Sequence, residues 1–419
     1  MKKESKFLCF EKGYAKIRRW MFGSKEGSGM EHHLRHRVVW RLLRPLVRLI
    51  LLIRFNYRCQ SAAPKGPYVV VSNHVTDWDP LLLGAAFRRQ MYFLASEHIM
   101  RLGFVSRLLD WLVHPITRQK GGSAAPAVKE MLRCVKNGCN VALFPEGNRT
   151  WDGVTRDFPP STGKLIKSSG AALVTFRITG GYLSSPRWSG DSARRGAMRG
   201  EVVKVYSAEE LKGMSALQIN AAIARDIHVD AFDDQRRRPV PYRGRHLAEN
   251  LETLLYLCPK CFSTGTLTSE DDRFFCRSCG FETRYAPTGY FLGGEPPFPE
   301  VRSWNRWQTK QLEKRCREAK SGEPIFSDEN LELWRVQSGV SSELLVRGGM
   351  ALYRDHLELP GSVSLPMDQI TGMSLRGPTD LYIGSANGSS FLVRTHLNLC
   401  THKYLSACSL LGAPVGFGV

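Results

Sequence analysis

Between Tyr68 and Tyr206 short apolar runs recur at intervals, each closed by polar or turn-forming residues. Tyr68–Ser72, Gln90–Leu94, Asn140–Phe144, Ala171–Ile178 and Glu201–Tyr206 read as strands, while Pro80–Phe87, Pro126–Asn137 and Leu217–Asp230 read as helices between or after them. That alternation predicts an α/β domain with a substantially parallel sheet. The run "DDQRRRPVPYRGR" breaks the pattern and sets a boundary near residue 240. Upstream, "RVVWRLLRPLVRLILLIRF" (37–55) places Arg37, Arg41, Arg44 and Arg48 four, three and four apart. This spacing puts them on one stripe of a helix whose remaining face is Val, Trp, Leu and Ile. Pro45 is expected to kink that helix or to start its second half.

Beyond the boundary the pattern changes. A short helix is predicted over His246–Leu257, then a stiff Pro-rich linker, "GGEPPFPE", and a charged helix over Ser303–Lys320. From Ser341 short strand signals follow one another ("ELLVRG", "ALYRDHLELP", "VSLP", "TGMSLRG", "DLYIGSA", "SFLVRT") and end in a helix, His402–Leu411. They predict a small β-barrel closed by a helix, similar in pattern to PH or GRAM-like domains. The expected organisation is a basic mobile tail (1–36) and an α/β domain (37–245) that begins with the 37–55 helix. A cysteine-bearing unit (246–292), a linker with a helix (293–325) and a β-rich domain (326–419) follow. His356, His396 and His402 of that last domain are read as incidental rather than as ligands.

A chain of 419 residues exceeds the roughly 250–300 residues of one core, in keeping with several domains. The formal net charge is +20, and residues 1–60 alone hold fifteen Lys/Arg against four Asp/Glu. An excess this localised calls for an anionic partner. Segment 37–55 carries too many arginines to span a bilayer; a helix lying in the headgroup layer of an anionic membrane fits better, with packing on its own domain as the alternative. The basic N-terminus is followed by no apolar signal region, and the eleven cysteines are odd in number, so a reducing compartment is expected rather than a disulfide framework.

Two polar turns follow apolar strands. In "VVVSNHVTDWDP" (69–80), His74 should stand at the C-terminal end of its strand, the edge where α/β sheets bind ligands. Asp79 can curl back and bond one imidazole nitrogen, leaving the other as a base for a hydroxyl. Alone, the pair reads as readily as a loop histidine and a helix N-cap before Pro80. In "NVALFPEGNRT" (140–150), Gly147 permits close backbone approach and Arg149 offers a fork of donors suited to a phosphate. A third pattern is C-x2-C-x14-C-x2-C: Cys258, Cys261, Cys276 and Cys279 can complete a tetrahedral thiolate site, as in a zinc ribbon with one structural Zn²⁺.

"NHVTDWD" and "FPEGNRT", in that order and about seventy residues apart, resemble the N-H-x4-D and F-P-E-G-x-R-[ST] blocks of the PlsC-like glycerophospholipid acyltransferases. The resemblance covers roughly residues 40–235. It implies that His74, oriented by Asp79, deprotonates the free hydroxyl of lysophosphatidic acid, which then attacks an acyl-CoA or acyl carrier protein thioester without a catalytic cofactor. It further implies that Asn73, Glu146, Gly147, Arg149 and Arg118 (in "HPITRQ", a looser second block) serve substrate binding. Asn148 stands where Thr or Ser is usual, the Phe-Lys-Lys-Gly-like run is replaced by "PPSTGKLIKSSG", and the fourth block by "ALVTFRITGGYLSSPRW". These departures bear on which acceptor is used. Other readings are an enzyme for a different lysophospholipid, a nucleic-acid-binding ribbon protein and a membrane-docked scaffold. No nucleic acid is expected, because the basic excess lies on the apolar helix and not beside the ribbon. The location implied is peripheral, on the cytoplasmic face of a membrane.

Overall fold

The apolar runs become the centre of a seven-stranded sheet in the computed structural model. It describes residues 29–60, 62, 64–96, 115–118, 125–190, 193–293, 297–336, 342–395 and 399–415; of 29–34, 95–96, 117–118 and 342 it gives the backbone alone. The tail before residue 29 and His396 lie outside the described residues. The strands are β1 (Arg58–Cys59), β2 (Tyr68–Ser72), β3 (Met91–Ser96), β4 (Ile116–Arg118), β5 (Asn140–Leu143), β6 (Ala172–Thr179) and β7 (Arg199–Tyr206), in the order β1-β7-β6-β2-β5-β3-β4. β2 to β6 run parallel and β7 antiparallel to β6. The C-terminal ends of β2, β5 and β6 therefore open on one edge.

Central β2 is buried along its whole length because both its faces are covered. Val69 and Val71 pack with Met131, Ile166 and Ile219 beneath helices α3 (Ala125–Lys136), α4 (Ser161–Ser169) and α5 (Ala216–Ile227). Tyr68 and Val70 point the other way, to Leu51, Phe55, Leu82 and Leu83 of α1 (Gly29–Phe55) and α2 (Asp79–Ala86). The two-residue period of the strand thus feeds two separate cores.

Helix α1 departs from expectation in two ways. It begins at Gly29, so residues 29–36 are not tail; His36 is buried and its Nδ1 lies 2.9 Å from the Tyr92 hydroxyl. Pro45 lies inside the helix. The arginine stripe divides: Arg44 donates to the Ala85 carbonyl (3.0 Å) and Arg48 to that of Cys59 (3.4 Å), while Arg37 and Arg41 stay exposed. The outward face is apolar instead, with Leu42, Leu46, Leu49, Ile50 and Ile53 exposed. Gly84 lets α1 dock closely, since a Cβ there would meet the Trp40 ring at 3.0 Å.

Residues 246–257 do not form the predicted helix. His246 and Asn250 adopt left-handed backbone (φ +53° and +67°), which leaves a single 3-10 turn at Leu251–Thr253, and the leucines of the segment are buried as an irregular strap. The cysteine unit is an antiparallel sheet ordered β11-β10-β9-β8, from β8 (Leu267–Glu270), β9 (Arg273–Cys276), β10 (Glu282–Tyr285) and β11 (Phe291–Leu292). After α6 (Ala231–Arg237), helix α7 (Val301–Glu318) packs against this unit rather than bridging solvent: Trp304 is fully buried among Phe274, Phe281, Phe291 and Phe298. Arg302 of α7 is buried in ion pairs with Asp230, Asp233 and Glu300.

The C-terminal unit is a seven-stranded antiparallel sheet: β12 (Phe326–Val336), β13 (Ser342–Leu352), β14 (His356–Leu359), β15 (Val363–Pro366), β16 (Ile370–Arg376), β17 (Asp380–Ser385) and β18 (Ser390–Arg394). Its order, β15-β14-β13-β12-β18-β17-β16, brings the first strand beside the last, and α8 (His402–Leu410) closes it. β12 had no counterpart among the predicted strands. Buried Lys403 and the Tyr404 hydroxyl both reach Asp328 of β12 at 2.6 Å, pinning α8 to the sheet. One apolar cluster runs from Trp151, Tyr182 and Trp188 through the cysteine unit and α7 into this sheet, so the sequence boundaries do not separate independent cores.

Candidate active site

At the end of β2 the chain turns sharply through His74, Val75 and Thr76 before α2 begins. Asp79 is the first residue of α2, not its N-cap; the cap position is Trp78, which makes no side-chain bond. The Asp79 carboxylate instead turns back and is fully buried. It accepts from the Val75 amide (2.6 Å), the Thr76 amide (3.0 Å), the Thr76 hydroxyl (2.8 Å) and His74 Nδ1 (2.7 Å). A carboxylate can only accept here, so Nδ1 carries the proton and Nε2 presents its lone pair. The ring stacks on Phe144 at 4.8 Å, its side chain is 21% exposed, and Nε2 has no partner among the described residues.

The turn after β5 is laid against this one. Glu146, 2% exposed, accepts the His74 amide through Oε1 (2.7 Å) and the Arg156 amide through Oε2 (2.7 Å), and the Thr150 amide donates to the His74 carbonyl (3.1 Å). Gly147 has φ +66°, the left-handed backbone that lets the turn reverse at that point. Arg149 bridges to Asp77 (3.1 Å); the arginine side chain is 14% exposed and the aspartate 75%. An exposed partner of this kind holds the guanidinium weakly and can give way to a phosphate. Burial pushes the Glu146 carboxyl up to about 8 despite the two amides donated to it.

His74, Asp79, Glu146, Gly147 and Arg149 thus meet at one sheet edge. Asn73 does not face it. Its amide is buried, donating to the Ile178 carbonyl (2.9 Å) and accepting from the Ile178 amide (2.8 Å), so it brackets β2 to β6 rather than contacting a substrate. Arg118 ends β4, opposite Ser96 of β3 and three strands from β2, about 14 Å across the sheet at ordinary strand spacing. Its side chain lies outside what is described. Lys164 is exposed on α4. Arg187 had no motif to mark it, yet its Nη1 donates to the Arg149 carbonyl (3.2 Å).

Residues 54–179 match the family model described as "Acyltransferase". The stretch carrying both turns is 28% identical over 116 residues to a 1-acyl-sn-glycerol-3-phosphate acyltransferase of Borreliella burgdorferi, covering 27% of this chain and 46% of the relative. A Pseudomonas aeruginosa protein of the same name is 26% identical over 149 residues, with 34% and 57% covered. A chloroplastic one from Arabidopsis thaliana is 30% identical over 122 residues, with 27% and 32% covered. This chain is similar to the acyltransferase family over residues 54–179. It spans only a third to somewhat over half of those relatives' own length. The crystal structure of PlsC from Thermotoga maritima superposes with a TM-score of 0.41 at 17% identity, over 55% of this chain and 89% of that one.

Away from this sheet edge, the four cysteines converge as their spacing predicts. Their Sγ atoms all lie within 4.8 Å of one another, with Cys258 to Cys279 at 3.7 Å and Cys261 to Cys276 at 3.8 Å. Four thiolates around one ion at 2.3 Å make a tetrahedron with edges of about 3.8 Å, whereas a disulfide would need about 2.05 Å. The donor set therefore fits a metal ion. His356 bonds its neighbour Asp355 (2.9 Å), and His402 is buried against the Trp151 ring, so neither approaches the cysteines as a ligand.

The buried Glu146 carboxyl makes a testable demand. The unfolded chain ionises Glu146 near 4.5 and the folded one near 8, so the folded state holds the extra proton between those values and loses relative stability as pH rises through them. Melting temperatures from pH 5 to pH 8.5 should fall more steeply for the wild type than for Glu146→Gln, which cannot ionise; parallel slopes would count against this.

Proposed function

We propose that the protein is a 1-acyl-sn-glycerol-3-phosphate O-acyltransferase that makes phosphatidic acid from lysophosphatidic acid and an acyl thioester. The observation that carries this reading is the free Nε2 of His74, oriented by buried Asp79 beside the Arg149 turn. Nε2 removes the proton from the acceptor hydroxyl as its oxygen attacks the thioester carbonyl. The new C–O bond forms, the C–S bond breaks, and the departing sulfur takes the proton back from the imidazolium. Arg149, released from Asp77, pairs with the acceptor phosphate in bidentate fashion, and Arg118 at the same sheet edge is assigned to assist it. Positioning two substrates at one histidine supplies the rest of the acceleration. CoA and acyl carrier protein donors share the reacting thioester and are both compatible with this scheme.

The reading extends to the membrane and the metal. The exposed leucines and isoleucines of α1 suit insertion at a lipid surface, with Arg37 and Arg41 free for anionic headgroups, and no helix among the described residues is long and apolar enough to cross a bilayer. We place the protein peripherally, on the cytoplasmic face. Cys258, Cys261, Cys276 and Cys279 would hold one structural Zn²⁺, which would fix the hairpin turns of a unit too small to fold on its own core.

His74→Ala should lower turnover roughly 10²- to 10⁴-fold while the melting temperature stays close to wild type; a folded variant with wild-type turnover would sink the mechanism. In flotation with anionic liposomes, Leu46→Glu/Ile53→Glu should remain in the protein-only fraction, and co-flotation equal to wild type would argue against docking through α1. Elemental analysis should find zinc bound in the wild type and lost in Cys258→Ser/Cys261→Ser, with a lower melting temperature; a metal-free wild type of equal stability would rule the ion out.

A further inference from the structure

Arg187 is a buried cation that the chemistry above leaves unused. It follows Pro186 on a short 3-10 turn, anchored by the fully buried Trp188, whose indole donates to the Tyr182 hydroxyl (3.1 Å). The guanidinium spends its two amino groups in opposite directions. Nη1 donates to the Arg149 carbonyl (3.2 Å), within the turn that carries the phosphate-binding arginine, and Nη2 donates to the Leu375 carbonyl (3.0 Å) of β16, in the C-terminal sheet. Its centre lies 4.1 Å over the Trp151 ring, and Trp151 in turn packs at 4.7 Å on His402, the first residue of the closing helix α8.

No carboxylate among the described residues pairs with this charge; Asp77 is the nearest acidic influence, and Arg149 and Arg156 add like charge. Burial first, then those two arginines, push the guanidinium down to about 9. Keeping a charge buried without a counter-ion is costly unless its donors are used and something anionic comes near. Two backbone carbonyls take one donor from each of its amino groups. The dianionic acceptor bound at Arg149 would supply the charge.

We propose that Arg187 is a positioning residue, through which the C-terminal sheet braces the Arg149 turn from behind and so sets the affinity for the acceptor phosphate. The inference rests on the reading of that turn as the acceptor-phosphate site. It gives the C-terminal unit a part in the reaction through a backbone carbonyl rather than through a side chain at the sheet edge where His74 stands. Lysine in this place keeps a charge but cannot span two carbonyls along one plane.

The test uses the full chain and two readouts, for Arg187→Lys and, from the α8 side, His402→Leu. Steady-state kinetics with lysophosphatidic acid should show the Arg187→Lys KM for the acceptor raised on the order of tenfold with kcat nearly unchanged. His402→Leu should move KM the same way by less. Hydrogen–deuterium exchange of peptides spanning residues 144–156 should be faster in both variants. Unchanged KM and unchanged exchange in folded variants overturn the proposal, and so does a fall in kcat alone, which reports only lost folded enzyme. If the wild type transfers no acyl group to any lysolipid, the acceptor reading fails, and the exchange measurement still decides the brace: equal protection in wild type and variants overturns it. Should Arg187→Lys not fold, His402→Leu carries both readouts.

Discussion

The site depends on a carboxyl group buried away from solvent. Glu146 takes one amide from the His74 turn and one from Arg156, and with the Thr150-to-His74 bond it locks the ends of two parallel strands together. A loop leaving a strand end has unpaired amides, and here one buried acceptor collects them from both sides. The base therefore comes to the arginine-bearing turn as a fixed pair, and preorganisation of this kind is what lets positioning count in catalysis.

Asp79 works by the same logic on a smaller scale. With four donors on one carboxylate, the tight turn at 74–76 and the imidazole share a single support. Removing it would disturb backbone and base together. Substitutions at Asp79 and at His74 should therefore not be read as equivalent probes of chemistry. Outside this pair, the brace from Arg187 to β16 and the Trp151–His402 contact tie the arginine turn to the C-terminal unit, and one apolar cluster continues through the cysteine unit between them.

Much of this was legible in the residues. The strand runs, the closing helix and the cysteine spacing speak through local periodicity and turn chemistry, and the structure follows them within a few residues. The His74–Asp79 pair became interpretable only beside "FPEGNRT", because a lone H-x4-D spacing also suits a loop and a cap. What escaped depended on long-range partners. Asn73 looked like a site residue until Ile178, over a hundred positions away, took both ends of its amide. The arginine stripe of α1 suggested four side chains turned to lipid headgroups, but Ala85 and Cys59 offer carbonyls that draw Arg44 and Arg48 inward. Arg187 carries no local signal, since its role exists only once the C-terminal sheet has folded beside it. The helix predicted at 246–257 failed for a nearer reason, the left-handed backbone at His246 and Asn250.

The central claim is that the two turns form one acyl-transfer site. It is met most directly by incubating the purified full chain with an acyl-CoA or an acyl carrier protein thioester, with and without lysophosphatidic acid, and quantifying both free thiol and phosphatidic acid. The account predicts thiol release that requires the acceptor and equals phosphatidic acid formed. Thiol released at the same rate without acceptor, or no phosphatidic acid with either donor, would contradict it.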